Sequence, residues 1–380
     1  MNSSSGGHLI SDRTLWGAWA LAVLGALPFS IQPFFLATAA ERFGLEADAM
    51  GLLGMAETIG VVIASATASV WLRRFDLPQL VKVSLTAIVL GYLFSAWVSS
   101  ASALLIVRLV SGVLGHGLAF VLGTTWLCQS REPDRAIAIS VVSQLMVSAA
   151  LLAMLPVVFE AFGFAPSFAL IVAFCLGLAP WVLSAHAPAL SQDVPPSQSA
   201  LLSGLLPLLL ALVLFQIGLA SIWAFIESLA SATGYSLIET GQMLGVILPL
   251  SIIGALGASL LGHRGNRGLS LSAAALIALA GLVILGVVRI PGAFFVGFLL
   301  HQIAWNFGIA YVYGAIAENA ANGANTALAP GAQALGTAIA PFFTGWIVSL
   351  SSLDSVLWIS GTSIVVSVML VMLRDQPVRD

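Results

Sequence analysis

Twelve stretches of this 380-residue chain are apolar for about the 20 residues a helix needs to cross a bilayer's hydrocarbon core. They run over 15–39, 49–71, 79–100, 102–127, 136–159, 164–184, 204–230, 239–261, 269–289, 291–317, 326–350 and 354–373. A chain built this way must satisfy every backbone polar group within its own segments, which predicts an all-α integral membrane protein. Composition agrees. Only 8% of residues are charged, where a soluble domain carries about 25%, so there is no polar surface to face water. The net charge of −3 indicates neither nucleic acid nor an acidic partner, leaving lipid as the surrounding medium. Cys128 and Cys175 fit neither a disulfide framework nor a metal site, and no cofactor is implied. The apolar run after Arg13 is too long, and its start too polar, for a cleaved signal, so it reads as a retained first span.

Basic residues set the expected orientation. With the N-terminus inside, one face carries Arg13, Arg73, Arg74, Lys82, Arg131, Arg135, Arg264, Arg267, Arg374 and Arg379, and the other only Arg42 and Arg289. That bias predicts cytoplasmic termini and a multi-pass protein of the cell inner (plasma) membrane. The opposite loops carry acids, among them Glu41, Asp48 and Asp354. The stretch 184–199, with its Pro-Pro and Ser/Gln content, reads as a linker.

The chain is also written twice. "GLAFVLG" from Gly117 returns as "GIAYVYG" from Gly308, an offset of 191. "SIQPF" from Ser30 matches "SIWAF" from Ser221 at 191, and Gly44 and Gly51 match Gly234 and Gly241 at 190. Gln144, Ser148 and Ala149 match Gln333, Thr337 and Ala338 at 189. Span n therefore corresponds to span n+6, in the same orientation. This predicts an N-terminal six-helix bundle over 1–184, a cytoplasmic linker over 185–203 and a C-terminal bundle over 204–380.

Two parallel six-span halves joined by a linker resemble the major facilitator superfamily. "RLVSGVLGHG" from Arg108 is similar to that family's Arg-containing, Gly-spaced fourth helix. "REPDRA" from Arg131 resembles its basic loop before span five, and "GAQALGTAIAPFFTGWI" its Gly/Pro-rich eleventh helix. "ASVWLRRFDLP" from Ala68 keeps Arg73 and Arg74 of the family's second loop without its glycine, and "GHRGNRG" from Gly262 is likewise partial. The Gly-Pro-rich fifth-helix motif of many drug exporters is absent from Ala136–Ala161, which points away from drug antiport.

The resemblance implies that spans one, four, seven and ten line a central cavity. Candidate substrate-binding residues there are Gln32, Arg108, His116, Gln216, Trp223, His301, Gln302, Trp305 and Asn306. Arg108 is a fixed cation within span four, able to hold an anionic group or to keep a carboxylate ionised. His116 either titrates or bridges helices. His301, Gln302, Trp305 and Asn306 fall at i, i+1, i+4 and i+5, which predicts a polar-aromatic wall. Glu227, Glu57 and Arg108 are the candidates for proton coupling, with Arg108 expected to act with Glu227; pairing to a neighbouring helix is the simpler role for Glu57. The function this implies is secondary active transport of a small organic solute by alternating access, with protons as the coupling ion, as uptake symport or efflux antiport, by a monomer. No nucleotide-binding loop is visible. The alternative is a membrane-embedded sensor or enzyme on a transporter-like fold. Against an enzyme, the ionisable groups scatter over different spans.

Overall fold

The computed structural model describes residues 12–130, 132–184, 202–261, 266–319 and 328–374. Twelve helices in it are long and apolar enough to span a membrane. We number them α1 (Asp12–Phe43), α2 (Ala47–Ala66), α3 (Leu77–Trp97), α4 (Ala101–Leu127), α5 (Pro133–Phe162), α6 (Phe164–Ser184), α7 (Leu202–Ser231), α8 (Leu237–Leu261), α9 (Arg267–Val287), α10 (Pro291–Asn319), α11 (Leu328–Leu350) and α12 (Ser355–Arg374). A short helix, Ala68–Arg74, follows α2. Arg131, Arg264, Arg379 and the linker's 185–201 lie outside the described residues.

The helices form two parallel-repeat bundles of six, and the repeat is visible bond by bond. Gly44 and Gly234 both end a first helix with positive φ, 62° and 99°. That is the left-handed conformation glycine adopts without a steric penalty. The amide of Leu45 closes the first cap on the Ala40 carbonyl at 3.1 Å, and Tyr235 closes the second on Ala230 at 3.2 Å. Ser30 and Ser221, partners at offset 191, each tie the first helix of a half to its fifth. Ser148 Oγ donates to the Ser30 carbonyl at 2.7 Å, and Thr344 Oγ1 to Ser221 Oγ at 2.7 Å. The start of α8 carries a capping box, in which Ser236 and Glu239 each accept from the other's amide, at 3.2 and 2.8 Å.

Among the described residues the two bundles meet along α2 with α11 and α5 with α8, and their closest approaches lie toward one end. A Cβ on Gly345 would lie 2.2 Å from the Ala47 carbonyl oxygen, whereas one on Gly331, four turns earlier in α11, would meet nothing within 4 Å. In α5 the early residues Ile137, Ile139, Val141 and Val142 are exposed, while Ala149, Leu152 and Leu155 are buried. The seam is closed at the end bearing the Gly44 and Gly234 turns. Large apolar side chains such as Trp97, Leu260, Leu276 and Trp358 face outward, as contact with lipid tails requires.

Candidate functional site

Among the described residues, the candidate polar side chains gather mainly in two places between the helices. The first is enclosed within the first bundle. α4 is not α-helical throughout: Gly112–Gly117 is a π-helical turn between two α-helical stretches. At 3.6 residues per turn, Arg108 and His116 would stand about 80° apart around the axis. The wider π turn rotates each residue less and brings both side chains onto Glu57 of α2. Glycine allows the approach, because a Cβ on Gly112 would lie 2.4 Å from the Glu57 carbonyl oxygen.

In this cluster the Arg108 guanidinium forms an ion pair with the Glu57 carboxylate. It also lies over the rings of Tyr92, at 4.4 Å, and Phe35, at 4.9 Å. Such cation–π contacts strengthen as water is removed, and here Arg108 is 0% exposed. His116 hydrogen-bonds through Nδ1 to the Leu24 carbonyl at 2.7 Å and packs edge-on against Tyr92. As the donor in that bond, Nδ1 carries the hydrogen, and Nε2 then faces Glu57 Oε1 at 3.8 Å.

This placement corrects two expectations. The carboxylate beside Arg108 is Glu57, not Glu227. Arg108 and His116 are held among α1, α2 and α3 of their own bundle and do not open onto the seam. The physical reason is desolvation: a buried guanidinium needs a buried anion, and the π turn supplies one within reach.

The second cluster lies on the seam. Trp223 of α7 donates its indole N–H to the Phe29 carbonyl of α1 at 2.8 Å, joining the two bundles directly. The Phe29 ring lies 5.6 Å from that of Trp223 and 6.1 Å from that of Trp305 on α10, edge-on to the latter. Three helices thus build one aromatic corner. Gln32, one turn from Phe29, donates Nε2 to the Gly54 carbonyl at 3.3 Å, near Pro341 of the other bundle. Gln216, two turns from Trp223, donates Nε2 to Thr337 Oγ1 at 3.0 Å. Gln302 is buried one turn from Trp305. The side-chain oxygens of all three glutamines are buried with no hydrogen-bond partner. Glu227 is 6% exposed, one turn beyond Trp223 toward the closed end, near Thr240, and its Oε1 also has no partner.

The expected α10 wall divides. Trp305 faces α1, Asn306 Nδ2 donates to Ser251 Oγ of α8 at 3.0 Å, and His301 Nε2 meets Ser360 Oγ of α12 at 3.3 Å. A full helical face is wide enough to serve three neighbours, and the residues follow them rather than one another. Sequence reasoning missed Phe29, Phe35 and Tyr92. The one available signal was Tyr92, a hydroxyl within an apolar run; Phe29 is indistinguishable by type from the core phenylalanines around it. Among the described residues no group of three or more His, Cys, Asp or Glu side chains is placed to hold a metal.

The sequence profile of the Major Facilitator Superfamily matches residues 18–329. Among solved structures, the nucleoside transporter NupG superposes with a TM-score of 0.73 at 11% identity, covering 96% of this chain and 100% of its own. A D-xylose-proton symporter gives 0.72 at 15% identity, covering 96% of each. The xylose transporter XylE from E. coli, in a partially occluded inward open conformation, gives 0.73 at 13% identity, covering 96% of this chain and 99% of its own. At such identities the likeness is one of fold. No curated protein sequence matches the chain.

Proposed function

The chain belongs to the major facilitator superfamily, and on that premise we propose a secondary active transporter that carries a small organic solute, with protons as coupling ion and Glu227 as their carrier. The carrying observation is Glu227 itself: a buried carboxylate that no cation among the described residues pairs, one turn from the Trp223–Phe29 contact that joins the halves. Rocking the bundles apart at the closed end would admit water to this acid, so its proton affinity differs between conformations. That difference is what couples one ligand to another. Glu57 is a poorer carrier, because it and Arg108 belong to one bundle and move together. The excess of basic residues on the face bearing both termini supports a cytoplasmic placement for it. The closed end of the seam is then the outer one, and the state inward-open.

The test is transport by purified protein in liposomes. Glu227→Gln is expected to abolish accumulation driven by a pH gradient while solute exchange without a gradient continues. Unchanged gradient-driven accumulation removes Glu227 from the mechanism.

A further inference from the structure

Away from the seam, the second bundle has a groove between α9 and α12, with a cavity of about 570 Å³. That volume is in the range of small-molecule sites. The groove runs from Val287 to Leu279 on α9 and from Asp354 to Val366 on α12. At 1.5 Å per residue these lengths are about 12 Å and about 18 Å, close to one leaflet of a hydrocarbon core about 30 Å thick. Its walls open outward to lipid: Val283, Val287 and Trp358 are 61%, 76% and 74% exposed. At its mouth, at the closed end of the seam, Arg289 pairs with Asp354.

The first bundle is filled at the equivalent place. The buried positions of α3 recur in α9 at offset 190, and most of those of α6 in α12 at offset 192. By these offsets Tyr92, Phe164 and Phe168 correspond to Leu282, Val356 and Ser360. The Phe168 ring lies 6.1 Å from that of Tyr92 and 4.7 Å from that of Phe164. Those three rings pack between α3 and α6; α9 and α12 carry smaller side chains there and leave a slot facing the bilayer.

From the groove's length, its apolar walls and its charged mouth we infer that it holds one phospholipid of the leaflet at the closed end, with an acyl chain along the groove and its phosphate on Arg289. The walls ask for hydrocarbon, because the Thr362 hydroxyl is already spent on the Trp358 carbonyl at 2.7 Å. The floor is closed: a Cβ on Gly361 would lie 3.3 Å from Leu279 Cδ2, so the two helices touch behind the slot. A helix of a second copy, about 10 Å across, is too wide to enter it, whereas a single hydrocarbon chain is not. At the mouth both Asp354 oxygens lie 2.8 Å from Arg289 Nη2. Asp354 thus fixes the guanidinium at one nitrogen and leaves Nε and Nη1 without a protein partner among the described residues. Guanidinium donors match phosphate oxygens in geometry and charge. The site is separate from the seam and does not rest on the transport reading.

The experiment is native mass spectrometry of the full chain released from detergent micelles, with dioleoyl phosphatidylcholine and dioleoylglycerol as probes. They carry the same acyl chains and differ in the phosphate headgroup, so the comparison needs no altered protein. One phosphatidylcholine is expected to stay bound under conditions that strip the surrounding lipid, and dioleoylglycerol to be held about tenfold more weakly. Arg289→Gln is expected to bring phosphatidylcholine down to the level of dioleoylglycerol and to leave dioleoylglycerol unchanged. Val283→Trp and Thr362→Phe set a ring into the groove from either wall, and each is expected to abolish retention. Both positions are exposed on the lipid face, so the packed core is undisturbed. Equal retention of the two probes overturns the inference, as does retention that survives both ring substitutions or is absent from the unaltered chain. A dimer that the ring substitutions dissolve gives the groove to a second copy and overturns it too.

Discussion

A Cβ on Gly51 would lie 2.2 Å from the carbonyl oxygen of Pro341, across the boundary between the two bundles. Gly241, the repeat partner of Gly51 at offset 190, stands in the same relation to Leu152, the partner of Pro341 at offset 189, also at 2.2 Å. The pseudo-twofold relation thus extends from sequence to the contacts that close the seam, and those contacts are backbone against glycine. No rotamer change can relieve a side chain placed there. The closed end is therefore a joint that any Cβ forces apart.

The first prediction follows. Gly51→Ala with Gly241→Ala is expected to favour the conformation open at this end. Spin labels at Ala49 and Ser349 should show a longer distance between α2 and α11 than in the unaltered glycine background. An unchanged distance distribution would mean the helices slide to absorb the added atoms.

The buried ion pair makes a second prediction. Arg108→Leu leaves the Glu57 carboxylate without its counterion and is expected to destabilise by about 3–5 kcal/mol, the range for one buried partner lost. Arg108→Leu with Glu57→Gln is expected to be less destabilising than Arg108→Leu alone. Denaturant unfolding in micelles reads the cycle, and simple additivity of the two changes would show that the pair is not coupled.

The π turn is expected to depend on its glycines. Gly112→Ala drives a methyl into the Glu57 carbonyl, so α2 must retreat or α4 rewind. The expected loss is about 1–3 kcal/mol, as for overpacking generally, together with release of the Tyr92 ring from the Arg108 guanidinium. Near-ultraviolet tyrosine circular dichroism would report that release.

The Trp223–Phe29 bond is the direct polar tie between α1 and α7. Trp223→Phe keeps an aromatic ring but leaves the Phe29 carbonyl unmet, at an expected cost of about 1 kcal/mol. Because the bond spans the two bundles, the change is expected to raise reactivity of a cysteine placed at Gln32 toward a small aqueous thiol reagent. Equal reactivity in both backgrounds would show that the tie does not hold the closure.

Orientation has its own test. Single cysteines at Asp48 and Asp354 are expected to react with an impermeant reagent from outside intact cells, and one at Arg135 only after lysis. Labelling at Arg135 from outside would reverse the topology.

Much was legible before any coordinates. Run length and the scarcity of charge determined twelve membrane-spanning helices, because backbone in lipid must be paired and unbroken apolar runs of about 20 residues fit a spanning helix, not a barrel strand. The offsets of 189–191 determined the pairing of helices between halves, Gly44 with Gly234 among the matches. What remained undecided was rotation. In water a helix turns its apolar stripe inward; in lipid the outward and inward faces are both apolar, and burial exerts little torque on the helix. Hence nothing in the pattern of α4 or α10 could say that Arg108 meets Glu57 instead of Glu227, or that His301 turns to Ser360 while Trp305 turns to Phe29. The π turn at Gly112–Gly117 added a local change of period that no regular helical reading anticipates. Those choices were made by close packing and by each buried polar group finding a partner, which only the assembled tertiary structure specifies.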